Sequence, residues 1–223
     1  MSKTRLMTAA TMGVAGLLLT GCGSATPGVA VQVGDEVLTV RDIDTTTAHY
    51  CTSVEDQLES AVPMSFVRQY VVQLLTVRSQ ASQIADEYGV TAGSSYQNDV
   101  AQRQGTAGTM PEEVRDDYVR LTSTPAYAQD IVDQIGTIVL DDQGITDATP
   151  KQVTEAGLDV FNQWPDANGI DIDPRYGLAN VDGVLKPVDT NTSVAVGKTA
   201  KSGLADTPDP AFADSLASTH RCG

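Results

Sequence analysis

Basic side chains are scarce in this sequence. Fourteen Lys and Arg stand against 29 Asp and Glu, for a formal charge of −15 over 223 residues. Such a surface repels phosphate, and no Lys/Arg cluster offers a footprint for it, so no nucleic-acid partner is expected. Aromatic residues are only 5% of the chain, with one Trp and three Phe, which leaves the core to Val, Leu, Ile and Ala and excludes a ladder of stacking platforms. Histidine occurs only as His49 and His220, and with no Gly-x-Ser-x-Gly elbow a Ser-His-Asp triad has no home. His49 neighbours Cys51, but residues two apart on a helix face different ways, which argues against a Cys–His catalytic pair. Asp141-Asp142 and Asp171-Ile172-Asp173 do not continue into an EF-hand calcium loop and read as solvated acidic loops. No phosphate-binding loop follows a strand, and Asn191-Thr192-Ser193 is a glycosylation sequon only where an enzyme reads it. No catalytic residue, metal ligand or cofactor is assigned, and the chain is not expected to be an enzyme.

The longest uncharged run lies at the start. Lys3 and Arg5 precede an apolar stretch from Leu6 to Leu19, the pattern of an export signal and too short for a permanent span. Leu19-Thr20-Gly21-Cys22 resembles the lipobox of bacterial lipoproteins. The resemblance implies that residues 1–21 are removed and that Cys22 becomes the lipid-bearing N-terminus, with residues 22–29 as a small-residue tether. Each buried acyl methylene contributes roughly 0.8 kcal/mol, so the implied location is the extracytoplasmic face of the cell membrane. Loss of Lys3 and Arg5 leaves 29 acidic and 12 basic side chains, a net charge of −17. The acyl group, not a basic face, would then hold the protein to its membrane.

Cysteine is also sparse. Subtracting Cys22 from three leaves Cys51 and Cys222, an even pair in an exported chain, which predicts a Cys51–Cys222 disulfide. The alternative is two unpaired thiols.

The remaining pattern is mostly helical. Residues 30–40 alternate around Gly34-Asp35 and predict a hairpin. Asp42 stands where an N-cap would, before Ile43, Thr47, Tyr50, Val54 and Leu58. Ser65 is the expected cap of the strongest helix, whose apolar face includes Phe66, Tyr70, Leu74, Ile84 and Tyr88 and which stops at Gly89. Shorter helices follow around Tyr96–Gln104, after Pro111, from Tyr127 to Val139, and from Pro150 through Leu158 and Trp164 to a stop at Pro165. Ile170-Asp171-Ile172 reads as a short strand, Val194-Ala195-Val196 has strand character, and 211–218 is a brief helix that delivers Cys222. The predicted fold is mainly α, with a small sheet formed by the N-terminal strands and a later strand, over 30–178, then a Gly/Thr/Asp-rich, irregular tail over 179–223.

The hairpin and following helix, Val33 to Asp44, resemble the opening of SurA/PrsA-type chaperone N-domains. The long helix ending in Glu87-Tyr88-Gly89-Val90-Thr91 and the closing Ile172-Asp173-Pro174-Arg175-Tyr176-Gly177 are similar to that family in order. The resemblance implies a multi-helix domain with a chaperone-like role toward exported polypeptides. No segment supplies a parvulin domain, so isomerase activity is not implied. Pro174 to Gly177 also have ordinary turn and packing reasons to be present. The alternative function is a structural or interaction subunit of an envelope complex.

Overall fold

The computed structural model describes residues 26–189, 194–203 and 207–223. Cys22 and the Asn191-Thr192-Ser193 sequon lie outside them. The fold is mainly helical, with a small antiparallel sheet, as expected. Strands β1 (Val29–Val33) and β2 (Glu36–Thr39) form the hairpin, and β4 (Ile170–Ile172) joins the other edge of β1, pairing Val31 with Ile172. The turn uses Gly34 at φ 50°, where an added Cβ would strike Gln83 and the Trp164 ring.

Helix α1 (Val40–Val54) is capped one turn earlier than the sequence predicts. Thr39 Oγ1 accepts the Asp42 N–H while the Asp42 carboxylate accepts the Thr39 N–H, so Asp42 closes a capping box rather than serving as N-cap. Helix α2 (Met64–Tyr88) begins after Pro63, with Ser65 inside its first turn, and ends at Gly89 with φ 66°. Its buried stripe is Val67, Val71, Val72, Leu75 and Ile84, whereas Phe66, Tyr70 and Tyr88 are exposed. The apolar arc of α2 is wider than the neighbours that cover it.

Helices α3 (Ser94–Thr106), α4 (Glu112–Thr122), α5 (Thr124–Asp142) and α6 (Pro150–Asn168) complete the bundle. A Cβ on Gly136 would overlap the Val153 carbonyl, and one on Gly157 the Val132 carbonyl, so these two glycines set how closely α5 and α6 approach. Leu158, apolar but on the outer face of α6, is 40% exposed.

Pro165 does not end α6. The ring removes the N–H that would reach Phe161, and the Nε2 of buried Gln80, on α2, donates to that carbonyl instead at 2.6 Å. With the orphaned group satisfied, the helix runs on to Asn168.

The segment after Gly177 carries more regular structure than its composition predicts. Strands β5 (Leu178–Val181) and β6 (Val184–Pro187) pair across Asp182-Gly183, both at positive φ, and bury Leu178 and Leu185 in the main core. Val194 and Val196 form no strand and are 89% and 86% exposed, because no partner edge lies beside them. Helices α7 (Lys198–Gly203) and α8 (Pro210–Ser215) lead to β7 (Arg221–Cys222), which pairs with β3 (Val62–Pro63).

Candidate functional site

The first turns of α2 form one wall of a groove of about 670 Å³. Phe66, Gln69, Tyr70 and Gln73 recur there at helical spacing, and the helix rise makes the wall from Pro63 to Gln73 roughly 15 Å long. The Arg175–Leu178 turn supplies the floor, and Pro187, Val188 and Ser202 stand opposite. Phe66 and Tyr70 are each 38% exposed, one turn apart along the opening.

The turn is rigidly held. Asp173 caps the short 3-10 helix Pro174–Tyr176 by accepting the Arg175 N–H, and its other oxygen lies 2.9 Å from the Arg175 guanidinium. Burial opposes a charge on Asp173, but the hydrogen bond from the Arg175 N–H and the adjacent guanidinium outweigh it, holding the carboxyl below the usual carboxylate range. Gln69 Nε2 donates to the carbonyls of Tyr176 and Gly177 at 3.1 and 3.0 Å, tying the floor to α2. Tyr176 itself is 5% exposed, and burial together with the Asp44 carboxylate raises its hydroxyl's pKa. The packing role predicted for this turn therefore coexists with a place in the groove.

Behind the aromatic wall, the Tyr50 and Tyr70 rings lie 5.5 Å apart. Burial first, then the charge and hydrogen bond of Tyr70 and the nearby Tyr118, push the Tyr50 phenol up to about 12.

The sequence-assigned cysteines meet. Cys51 and Cys222 sulfurs are at disulfide distance, 2.08 Å, across 171 positions of sequence. They sit with Val67 in a small buried cluster separate from the main core. His49 turns away from Cys51, as helix geometry requires, and pairs with Asp117 of α4 at 2.7 Å, where Arg120 also bonds Asp117 at 2.7 Å. Among the described residues no group of three or more His, Cys, Asp or Glu side chains is placed to hold a metal ion, and no helix is long and apolar enough to cross a membrane. Asp171 lies exposed on β4.

The groove is not legible in the sequence because nearly half its lining comes from the segment after Gly177. Asp182-Gly183 between Val181 and Val184 was the available hairpin signal for part of that lining. A second, shallower depression of about 390 Å³ lies between α5 and α6, with Val139, Leu140 and Val160 at its base and Glu155 and Asp159 at its rim. No protein-family model, curated protein or solved structure matches this chain.

Proposed function

We propose that this chain is a lipid-anchored protein of the extracytoplasmic membrane face that binds extended segments of exported polypeptides, as the SurA/PrsA-type N-domains it resembles do. It carries no isomerase or other catalytic activity. Cys22 bears the lipid, and the acidic body stays off the anionic bilayer surface.

The observation that carries this reading is the α2 groove with Phe66 and Tyr70 left open along it. Phe66 and Tyr70 offer apolar ring surface along the groove, and in an extended client every second side chain would face it. The groove's length accommodates roughly four or five extended residues at about 3.3 Å each.

The test is aggregation of reduced, carbamidomethylated lysozyme, with the mature chain in Cys22→Ser form at several-fold excess. Slower aggregation is expected, and the Phe66→Ser/Tyr70→Ser double variant should lose most of the effect while still unfolding in one cooperative transition above the assay temperature. No slowing by the parent protein would end the proposal. A second reading, a subunit holding one envelope partner, is favoured by the α5–α6 depression, whose Glu155 and Asp159 rim fits a basic segment. Cross-linking in intact cells separates the two: many exported chains support the first reading, one dominant product the second.

A further inference from the structure

We propose that the C-terminal segment completes the second wall of the groove, beside Pro187 and Val188, and that the Cys51–Cys222 disulfide is what holds it there, so the client site is complete only in the oxidised protein. This rests on reading the groove as a client site.

Ser202 and Gly203 of α7, and Pro208 just before α8, line the groove across from Phe66 and Tyr70. Apart from the disulfide they are attached through α8 against β3 and through β7 against α2, and little of that contact is buried. Within 194–203 and 207–223, only Ala213 and Cys222 are buried. Helix α7 buries nothing and leans on α8, with Gly203 against the Phe212 ring. The β3–β7 ladder is two residues long, too short to be stable alone. The Arg221–Asp214 ion pair, at 3.7 Å and on the surface, adds little. Ordering a backbone residue costs about 1–2 kcal/mol, so a segment with so few buried side chains is the part of the fold least able to stay docked on its own contacts.

The covalent bond confines the end of this segment beside Cys51 and so removes much of the freedom it would otherwise have. Cys222 is fully buried and joined to Cys51 on α1, so the segment is fixed at both ends, by β6 and by the disulfide. The cysteines lie outside the main cluster built on Ile43, Val71, Ile84 and Ile131, so breaking the bond frees the wall and leaves that core packed. With the tail in place the groove is still open, so the tail bounds the site rather than filling it. Release therefore weakens binding instead of unmasking it.

The bond is broken by a dithiol. Dithiothreitol supplies two electrons and two protons, the S–S bond becomes the Cys51 and Cys222 thiols, and the reagent closes to its own cyclic disulfide.

The experiment measures binding of fluorescent carbamidomethylated lysozyme, which has no disulfide of its own, to the mature Cys22→Ser chain. Three further samples are the same chain in dithiothreitol, its Cys51→Ser/Cys222→Ser form, and its Ser202→Trp form with the disulfide intact. Hydrogen exchange of 198–223 and far-ultraviolet circular dichroism are read on every sample. Affinity should fall at least tenfold in all three, with helical signal retained and exchange of 198–223 at least tenfold faster in the two lacking the bond. Ser202→Trp narrows the groove from the tail side and needs no reduced protein to fold. Binding within twofold of the parent in the reduced, double-serine or Ser202→Trp protein would overturn the proposal, as would unchanged exchange of 198–223 without the disulfide. A parent that binds no client removes the groove's proposed function, and the exchange data then decide separately whether the bond holds the wall.

Discussion

Replacing Gln80 with Met tests why α6 survives its internal proline. Gln80 is 2% exposed, and its amide nitrogen donates to the Phe161 carbonyl at 2.6 Å. No other helical donor reaches that oxygen, because residue 165 has no N–H. Met keeps the side chain's length and approximate volume, so the packing change stays under about 1.5 kcal/mol. A buried carbonyl stripped of its partner costs roughly 1–3 kcal/mol. The expected loss is about 2 kcal/mol, which lowers the melting temperature of a chain this size by roughly 4–8 °C. Pro165→Ala restores a helical N–H to the same carbonyl, so in that background Gln80→Met should cost at least about 1 kcal/mol less. Urea denaturation of the parent, both single variants and the double variant, all with the disulfide intact, gives the coupling directly. A Gln80→Met loss under about 0.5 kcal/mol, or an equal loss in both backgrounds, would refute the account.

Three other expectations concern the scaffold. Gly136→Ala gains about 1 kcal/mol of helix propensity but drives a methyl into the Val153 carbonyl, so denaturation should show a net loss of about 2 kcal/mol. Gly105→Ala, with nothing within 4 Å of the added methyl, should instead stabilise slightly, and matching signs at the two sites would contradict the close-approach role of Gly136. Asp173 has a folded pKa below its unfolded value, so its contribution is present above the ordinary carboxylate range near pH 4 and is lost as pH falls through the folded value. Melting curves of the parent and Asp173→Asn should therefore converge in strong acid, and curves separated equally at pH 7 and pH 2 would tell against it. Tyr50, raised to about 12, stabilises the fold below pH 10, and that contribution is lost as pH climbs through 12. Absorbance titration at alkaline pH should show a late-ionising phenol that Tyr50→Phe removes, and an unchanged titration would exclude the assignment.

The candidate site was only half legible in the sequence. Local signals placed the hairpin, the helices and the strand at Ile170–Ile172, because turn chemistry and apolar period act over a few residues. The same signals treated Phe66 and Tyr70 as core. Val67, Val71 and Leu75 form a second stripe beside them on α2, and periodicity does not say which stripe a neighbour will cover. The cap at Thr39 was missed because Asp42 is itself a good capping residue, and only the reciprocal bond with Thr39 separates the two roles. Val194 and Val196 had strand-like side chains without an edge to pair with.

By itself the sequence determined the mainly helical class and the order of the main elements up to Ile172, and it made Cys51 with Cys222 the expected pair. Those follow from local periodicity, from caps and turns, and from counting cysteines. Tertiary structure alone decided that α6 continues through Pro165, since the donor that permits it is Gln80, far away in sequence. It also decided which aromatic side chains stay open, and that the groove joins α2 to residues far along the chain, among them Arg175, Pro187 and Ser202. Burial and the satisfaction of a polar group depend on what arrives from elsewhere in the chain, and a residue's own neighbours in sequence do not carry that information.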